Sequence, residues 1–484
     1  MADINLGVGG ANSAVAGGYE IENSLKFEHS NAESLGKDQA QGTQTTWTFS
    51  TWLKRTALSD TSHSYQHVWA AGRSDLDNGT KFYFRGDSSY PENRIFFYMD
   101  NGGTQYLHGA TSQSFRDTSA WYHIVWAVDT TQSTASDRSK VYINGELQTL
   151  VGVPGAAFTN PPQNSSTRVN DNGGVMYVGA ANVNGGNRFN GYLAETVLID
   201  GSQLDVTDFG EYDDDTGIWI PKDVSELSFG TRGFYLDYSD ASNLGNDADG
   251  STEFNEYNIT AADQATDTPT NNFCTLNPLL TNAGSANYLT MTEGATKGVN
   301  AGNVYKLAVA SMGVTSGKWY WEVKATSVGA TMYMGITYPS VWDTDYTLGG
   351  TIFVDDNNDP VRYNASGRSS FGSAFGNGDI IAFALDMDAS TPTMTVYKNN
   401  SSLGNLMSGL SIGGTGTAYL PPKEEGYFPK IGGYGAMTFE CNFGGYTSGT
   451  PASGASDANG YGNFEYAPPS GYYALCTKNL AEYG

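Results

Sequence analysis

The stretch at residues 378–400 constrains the fold of this chain most strongly, because its pattern is that of a β-hairpin. Apolar side chains alternate on both faces of its first strand, large on one face and smaller on the other: Ile381, Phe383, Leu385 and Met387, against Ile380, Ala382 and Ala384. A strand that is apolar on both faces is an inner strand, covered from both sides. Turn-forming Asp, Ser, Thr and Pro residues follow at 386–392, before an alternating return strand.

A second hairpin pattern occurs at residues 121–145. Large apolar side chains alternate along its first strand, a polar loop follows, and Asn144-Gly145 ends the second strand. Asn-Gly is the strongest short hairpin signal. Because the residues between the two hairpins do not match, we interpret the chain as two β domains of related architecture and not as a sequence repeat.

Length and composition agree with this interpretation. The chain has 484 residues, enough for two or three domains, and its 60 glycines and 31 tyrosines suit a loop-rich β protein. The predicted fold class is all-β, with two β-sandwich (jelly-roll) domains joined by an extended irregular connector. The expected segments are an N-terminal Gly-rich arm at 1–20, a first jelly roll at 21–205, the connector at 206–285, a second β-sandwich at 286–446 and a C-terminal tail at 447–484.

The formal net charge of −26 narrows the range of partners. Nucleic-acid backbones require clustered Lys and Arg, so we expect no nucleic acid partner; a solvated acidic surface or a cation site stays open. Three widely spaced cysteines indicate neither a disulfide framework nor a zinc site. No apolar run approaches the roughly 18 residues of a membrane span, and no secretory signal is evident, so we expect synthesis in a cytoplasm and no membrane span.

Four segments of the first half occur in the order SLKF, WTFSTWLK, WYHIVWAVD with VYING, and FNGYLAETVLIDGSQL. This ordered set resembles the laminin-G-like or concanavalin-like jelly-roll family. The resemblance implies a two-sheet sandwich of a kind that often binds glycans or protein surfaces, sometimes through calcium.

A second ordered set, in the other half, is GKWYWEV, MGI, GDIIAFALDMD with TVYKNN, and YFPKIGG with FECNFG. This set resembles the SPRY family, which is also a two-sheet β-sandwich. The resemblance implies a binding module without catalysis that uses loops at one end of the sandwich.

The tail segment PPSGYYALCTKNL resembles a terminal motif of tailed-phage structural proteins, and the preceding GFYLDYSD and ITAADQATDTPTNNFCTLNPL are similar to the connector of such proteins. The resemblance implies a bacteriophage virion protein on the virion surface, assembled in the host cytoplasm. The leading expectation is a tail-fibre or spike adhesin that binds host-surface glycan or protein by multivalent attachment. Its expected partners are other virion proteins, bound through the N-terminal arm, and copies of itself, with a trimer as the expected homo-oligomer. A capsid decoration or head-fibre protein, a glycan depolymerase and a free cellular adhesin are the alternatives.

Candidate ligand-binding residues lie between the SPRY-like strands, where that family binds its ligands. Aromatic rings can stack on sugars or anchor a protein contact, and neighbouring charged groups can orient the ligand. Ordinary packing of a long loop is the alternative for each of them. The candidates are Trp342, Asp343, Tyr346, Asp355, Arg362 and Tyr363.

Calcium is the cofactor that the sequence favours, because hard oxygen ligands recur at short spacing. None of these stretches completes an EF-hand loop, and acidic β-turns without metal have the same pattern. The candidate metal ligands are Asp75, Asp77, Asp247, Asp249, Asp355 and Asp356.

Enzymatic activity is not expected. Concanavalin-like enzymes that cleave glycans carry Glu-x-Asp-x-x-Glu on one strand, and the nearest stretch here, residues 211–216, lacks the last Glu. His63 and His67 are four residues apart, but solvated or core histidines are the favoured interpretation over a zinc pair. No nucleophile elbow, phosphate-binding loop or dinucleotide fingerprint is present.

Overall fold

The computed structural model describes residues 18–59, 63–73, 78–87, 89–153, 157–182, 187–250, 253–279, 289–339, 352–356, 361–363, 367–369, 371–412, 419–420, 422–449 and 451–484. Only the backbone is described at 91–92, 361–363, 367–369 and 419. These residues form two compact units, an N-terminal unit that ends at Thr270 and a C-terminal unit that begins at Asn271. Residues 1–17 of the expected arm lie outside the described residues.

The N-terminal unit is built from strands joined by turns and short 3₁₀ segments (His29–Asn31, Ala135–Asp137, Val206–Asp208 and Ala261–Asp263). Its strands are β1 (Ser24–Phe27), β2 (Ser34–Asp38), β3 (Thr46–Arg55), β4 (Tyr65–Gly72), β5 (Gly79–Asp87), β6 (Tyr90–Asn101), β7 (Thr104–Ala110), β8 (Trp121–Asp129), β9 (Ser139–Ile143), β10 (Glu146–Leu147), β11 (Val151–Gly152), β12 (Val175–Val178), β13 (Gly191–Asp200), β14 (Gly210–Tyr212), β15 (Trp219–Pro221), β16 (Phe234–Leu236), β17 (Asn255–Tyr257) and β18 (Gln264–Ala265).

Two large antiparallel sheets make this unit a β-sandwich. The first sheet has the order β10-β9-β8-β3-β13-β1-β18, with β16 also paired to β13, and the second has the order β11-β7-β6-β5-β4-β12-β2-β17. The inward-facing aromatic side chains of the two sheets meet in one core, where the rings of Phe49 and Trp69 stack at 4.5 Å and those of Trp47 and Trp126 lie edge to face at 5.2 Å. The alternation of β3 and β8 in the sequence produces this core, because successive side chains of a strand point to opposite faces.

The segment expected to be the irregular connector contributes strands to this sandwich as far as Thr270. β16 pairs with β13, β17 pairs with β2, and β18 pairs with β1. Residues 206–270 therefore belong to the compact N-terminal unit, and residues 271–279 belong to the C-terminal unit. Local sequence signals for these strands are weak because each is only two or three residues long.

The C-terminal unit contains one 3₁₀ segment, Lys423–Glu425, and one short helix, α1 (Thr477–Tyr483), among its described residues. Its strands are β19 (Thr290–Thr292), β20 (Lys297–Asn300), β21 (Tyr305–Val309), β22 (Lys318–Ser327), β23 (Thr331–Thr337), β24 (Ile352–Asp355), β25 (Val361–Tyr363), β26 (Gly367–Ser369), β27 (Ile380–Asp386), β28 (Thr393–Lys398), β29 (Ser401–Asn405), β30 (Ser411–Ile412), β31 (Tyr419–Leu420), β32 (Phe428–Tyr434), β33 (Met437–Asn442) and β34 (Tyr473–Ala474).

Two sheets again form a sandwich, with the orders β19-β20-β33-β22-β27-β28-β29 and β21-β32-β23-β24-β25-β26. The hairpin at residues 378–400 is β27 and β28, and β27 lies between β22 and β28 as an inner strand. Ile381, Phe383 and Leu385 are buried in the sandwich core, whereas Ala382 and Ala384 are buried on the opposite face. The prediction of an inner strand covered on both sides is therefore confirmed, and so is the all-β fold class.

The C-terminal tail covers the outer face of the first sheet of this unit. Ala382 and Ala384 pack there against Tyr320, Phe273 and Phe464. β34 pairs in parallel with β22, and α1 follows it to the end of the chain. The described part of the chain contains no helix with the length and hydropathy of a membrane-spanning segment.

Candidate functional site

The predicted ligand-binding residues of the C-terminal unit are only partly described. Trp342, Asp343 and Tyr346 lie outside the described residues. Asp355 ends β24 and is 2% exposed, which places its carboxylate inside the unit. Only the backbones of Arg362 and Tyr363 are described, and they form β25, which pairs with β24. The structure therefore brings the strands of three candidates together, and their role in binding stays a prediction.

The predicted metal ligands that the structure describes lie in turns and at strand ends. One carboxylate oxygen of Asp247 accepts hydrogen bonds from the backbone N–H of Tyr235 at 2.9 Å and of Asp249 at 3.2 Å. Asp356 accepts one from the backbone N–H of Met332 at 2.9 Å. Burial raises the pKa of Asp356, and burial followed by the charge of Asp247 raises that of Asp249. Asp75 and Asp77 lie outside the described residues, so calcium at these sites stays a prediction.

Two other carboxylates of the N-terminal unit, Glu33 and Asp263, are close enough to bind a metal ion together, with oxygens within 4.8 Å of each other. Lys26, fully buried, places its ammonium nitrogen 2.8 Å from an oxygen of each. The second carboxylate oxygen of Glu33 accepts a hydrogen bond from the backbone N–H of Glu28 at 2.6 Å. The second oxygen of Asp263 accepts one from the backbone N–H of Thr260 at 2.8 Å. A metal ion at this pair would have to displace Lys26, because the lysine occupies the position of the cation.

The histidines do not converge on a common point. The ring of His63 lies edge to face with that of His29 at 4.3 Å, whereas Nδ1 of His67 lies 3.2 Å from the carbonyl oxygen of Asn187. Burial lowers the pKa of His123 to about 3, and its Nδ1 accepts a hydrogen bond from the Trp219 indole. His123 is therefore a neutral core residue, in agreement with the favoured interpretation from the sequence.

A small pocket of about 80 Å³ opens on the C-terminal unit, lined by Glu322, Lys324, Glu440, Asn442 and Glu465 among others. Both carboxylate oxygens of Glu322 already accept hydrogen bonds, from the backbone N–H of Glu465 at 2.8 Å on one side and that of Tyr466 at 2.8 Å on the other. Burial raises the pKa of Glu322, against these hydrogen bonds. Glu322 therefore holds the C-terminal tail on the sheet.

The outer face of the second sheet of the N-terminal unit carries the arrangement best suited to a ligand. We call it the aromatic face and define it by the outward side chains of β4–β7: Tyr65, His67, Lys81, Tyr83, Arg85, Tyr90, Arg94, Phe96, Tyr98 and His108. Strand register places them in rows, because Lys81 pairs with Tyr98 and Tyr83 with Phe96 across β5 and β6. Their sequence neighbours Phe82, Phe84, Ile95 and Phe97 point into the core.

The centre of the aromatic face is a buried floor. Tyr83 is 4% exposed and Phe96 is 1% exposed, and their rings stack at 5.5 Å with an interplanar angle of 10°. Tyr65, Tyr90 and Tyr98 are half-buried and pack around this floor. Stacked rings with a half-buried rim form a rigid, largely apolar platform whose phenol groups can donate and accept hydrogen bonds.

Arg85 lies among the aromatic rings. Its guanidinium carbon is 3.8 Å from the ring centre of Tyr90 and 4.8 Å from that of Tyr65. Its Nε donates to Asp87 at 2.8 Å. Burial would raise the pKa of Asp87, but hydrogen bonds from Arg85 and from two backbone N–H groups lower it overall. These contacts hold the guanidinium in a fixed position over the rim.

Lys81 and the two histidines complete the electrostatics of the face. The ammonium nitrogen of Lys81 is 4.8 Å from the ring centre of Tyr98. Burial, followed by the charge of Lys81, lowers the pKa of His67 to about 3. Burial, then the charges of Arg85 and Lys81, also lowers the pKa of His108. Both histidines are therefore neutral at physiological pH, and the cationic side chains described on this face are those of lysine and arginine.

Apart from His67, which was considered above as half of a zinc pair, none of these residues is among the candidates predicted from the sequence. A signal was present, because KFYFRG and RIFFYM carry aromatic residues on both faces. One aromatic face is needed for the core, and a second aromatic face on the same strands must be covered or bind something. The rows across four strands could not be derived, because register depends on pairing between distant segments.

Comparison with known protein families shows that the aromatic face lies within a segment that matches one family in sequence. Residues 28–202, which contain the whole aromatic face, match the family described as the Concanavalin A-like lectin/glucanases superfamily. No curated protein matches the chain. Several solved structures resemble it at the level of fold.

Three of these structures show the extent of the resemblance. The SPRY domain of human HERC1 is 17% identical, with 34% of this chain and 96% of that chain covered and a TM-score of 0.27. The heptameric SAP-like pentraxin from Limulus polyphemus is 14% identical, with 38% and 79% covered and a TM-score of 0.27. Domains LG4-5 of the mouse laminin alpha1 chain are 11% identical, with 88% and 90% covered and a TM-score of 0.29. The N-terminal unit thus contains a segment that matches the concanavalin A-like lectin/glucanases superfamily in sequence, and SPRY domains are among the structures that the chain resembles.

Proposed function

We propose that this protein binds carbohydrate through the aromatic face of its N-terminal unit, without cleaving it. The observation that carries the proposal is the half-buried tyrosine rim around the stacked Tyr83 and Phe96 floor. This platform lies in the segment that matches the concanavalin A-like lectin/glucanases superfamily.

The chemistry of sugars fits this platform. A pyranose ring presents C–H groups on one face, which pack against an aromatic ring, and hydroxyl groups at its edge, which need hydrogen-bonding partners. The rim supplies both, because Tyr90 and Tyr98 combine a ring with a phenol group. A rigid platform loses little conformational entropy on binding, so a modest contact area gives measurable affinity.

Glycan-array binding of the full chain tests the proposal. Replacing Tyr98 by Ala, or Tyr90 by Ala, removes one ring of the rim, and we expect a loss of at least about tenfold in affinity for the glycan that the native protein selects. Tyr212→Ala is the matched control, because Tyr212 is 50% exposed and packs on Trp219, away from β4–β7. Equal binding by native protein and both rim variants, with unchanged melting temperatures, would reject the aromatic face as the binding site.

We further propose that this binding attaches a virus particle to its host, with the protein acting as a tail-fibre or spike adhesin on the virion surface. The resemblance of PPSGYYALCTKNL to a motif of tailed-phage structural proteins supports this assignment. Several copies on one particle, as in a homotrimer held by its N-terminal arm, would turn weak single-site affinity into stable attachment. The SPRY-like loops would then contribute a second contact with host glycan or protein.

Electron microscopy of particles labelled with antibody against this chain tests the virion assignment. Label at the tail tip supports an adhesin, whereas label over the head supports the alternative of a capsid decoration or head-fibre protein. Absence of label from purified particles would reject both.

A reducing-end assay on the selected glycan distinguishes binding from depolymerase activity. An affinity that depends on calcium and is abolished by EDTA would support calcium as the cofactor.

A further inference from the structure

A buried lysine and two buried carboxylates meet where the first and last described strands of the N-terminal unit pair. β1 runs antiparallel to β18, and their register, continued by one residue, places Lys26 of β1 opposite Asp263, which directly precedes β18. Nζ of Lys26 is 2.8 Å from Oδ1 of Asp263 and 2.8 Å from Oε1 of Glu33. The three side chains are 0%, 7% and 2% exposed respectively, so water has little access to this cluster.

Hydrogen bonds from the surrounding chain fix both carboxylates. Oδ2 of Asp263 accepts hydrogen bonds from the backbone N–H of Thr260 at 2.8 Å and from its hydroxyl group at 3.1 Å. Oε2 of Glu33 accepts one from the backbone N–H of Glu28 at 2.6 Å. Each carboxylate thus turns its other oxygen toward Lys26. Groups held in a fixed mutual position react far more readily than the same groups free in solution.

Burial changes which chemical form of the Lys26 and Asp263 pair is favoured. In bulk water an ammonium and a carboxylate stay ionised, because both ions are well solvated. Inside a protein the ion pair carries a desolvation penalty that its own attraction only partly offsets. An amide made from the same two groups is uncharged, and its formation releases one water molecule to the solvent. The dry site therefore favours condensation of the pair.

Glu33 has the properties needed to move the protons of such a reaction. An ammonium group has no free electron pair, so Lys26 must lose a proton before its nitrogen can attack a carboxyl carbon. Burial raises the pKa of Glu33 to about 7, although the charge of Lys26 opposes the shift. A carboxyl group that titrates near neutral pH can both take a proton from the amine and return it to a leaving oxygen.

We propose that Lys26 and Asp263 form an intramolecular isopeptide bond, with Glu33 as the group that transfers the protons. Nζ attacks Cγ of Asp263, and the negative charge that develops on Oδ2 is stabilised by the two donors of Thr260. The Cγ–Oδ1 bond then breaks, and Oδ1 leaves as water with two of the three ammonium protons, carried by Glu33. The balance is ammonium plus carboxylate to amide plus water, with no other reactant and with Glu33 returned to its starting state.

This bond would make the N-terminal unit resistant to unfolding from its ends. It joins β1, near the start of the described chain, to the segment just before Asn271, where the C-terminal unit begins. A force applied to the two ends of the unit would then act on a covalent bond instead of on the short β1 and β18 ladder. The inference does not depend on glycan binding by the aromatic face.

Mass spectrometry of the purified full-length protein in denaturant tests the proposal. We expect an intact mass lower than that of the sequence by one water molecule, about 18 Da. Proteolysis should then give one branched peptide that joins Lys26 to Asp263. Succinimide formation, for example at Asp249-Gly250, causes the same mass loss, so the position of the bond in the fragment spectrum is the decisive observation.

Matched variants test the role of each group. Lys26→Met removes the nucleophile and Glu33→Gln removes the proton carrier while keeping its size, so each should retain the full mass of its own sequence. The double variant Lys54→Met with Asp267→Ala is the control, because it removes another buried ion pair of this unit and keeps the three reacting groups. It should still lose one water molecule.

The native protein alone decides the proposal, even where a variant fails to fold. A native mass equal to that of the sequence would overturn it, and so would a branch at Glu33 or at any pair other than Lys26 and Asp263. Complete bond formation in a folded Glu33→Gln variant would overturn the role of Glu33. A branch between Lys26 and Asp263 that is absent from this variant and present in the control would establish the bond and its mechanism.

Discussion

A buried ion pair in the N-terminal unit provides the sharpest test of how residues 206–270 are held. The ammonium nitrogen of Lys54, on β3, lies 2.6 Å from Oδ2 of Asp267, with both side chains no more than 1% exposed. The other oxygen of Asp267 accepts the indole N–H of Trp121 at 3.1 Å. Asp267 therefore connects the segment that follows β18 to two strands of the first sheet of this unit.

Replacing Asp267 by Ala removes the negative partner and leaves the ammonium of Lys54 buried. Breaking a buried pair from one side costs about 3–5 kcal/mol, and the indole loses its acceptor at a further cost of about 1 kcal/mol or more. Asp267→Asn keeps an oxygen for the indole but removes the charge, so we expect it to lie between Ala and the native protein. Adding Lys54→Met should recover most of the loss, because both charges of this pair are then removed.

Hydrogen exchange measured by mass spectrometry on the full chain reports the opening free energy of each segment. Peptides from β1, β3, β8 and β18 should lose protection in Asp267→Ala and regain it in the double variant. Peptides from the C-terminal unit serve as the internal control. An Asp267→Ala effect below about 1 kcal/mol, or a double variant no more stable than the single one, would refute the assignment of this pair as an important contact.

Two further predictions concern a buried acid and the tail. Glu195 has a left-handed backbone (φ 47°) at the β13 bulge, and burial raises the pKa of its carboxyl to about 8, against the hydrogen bonds of Tyr235 and Tyr19, which lower it. Because the folded pKa of Glu195 lies above its unfolded value, its contribution to stability is fully present at low pH and is lost as pH rises from about 4.5 to about 8. Glu195→Gln should therefore flatten the pH dependence of the thermal unfolding temperature. An unchanged pH dependence in this variant would contradict the prediction. Phe464→Ala removes a fully buried ring that packs against Tyr320 in the C-terminal unit. It should lower the free energy of unfolding by about 3–5 kcal/mol and speed hydrogen exchange at residues 451–484. Unaltered hydrogen exchange in these residues would show that the ring does not hold the tail.

Much of the strand content could be predicted, because it depends on local patterns. The hairpins at 121–145 and 378–400 correspond to β8 with β9 and to β27 with β28, since alternation and turn residues act over a few positions. The connector could not be predicted in the same way. Its strands β16, β17 and β18 have two or three residues each and exist because β13, β2 and β1 offer them edges or bulges to pair with.

The candidate site also divides into features that local sequence patterns predict and features that depend on long-range pairing. Selection of isolated acidic and aromatic residues led to positions such as Asp247, whose carboxylate accepts hydrogen bonds from the backbone N–H of Asp249 in the same turn and from that of Tyr235 on β16. A short acidic motif has the same sequence in a metal site and in a turn, so spacing alone does not distinguish them. The aromatic face was not selected, because its residues are distributed over the 44 positions from Tyr65 to His108 and meet only across strands.

The amino-acid sequence by itself determined that this protein is all-β, that it has two sandwiches, and that β27 is an inner strand, because side-chain alternation is a local property of each strand. Tertiary structure alone decided which outward side chains share a surface. Register between β4, β5, β6 and β7 places Lys81 beside Tyr98 and Tyr83 beside Phe96. A shift of one residue would send these side chains to the opposite face, so the platform depends on long-range pairing that no single segment encodes.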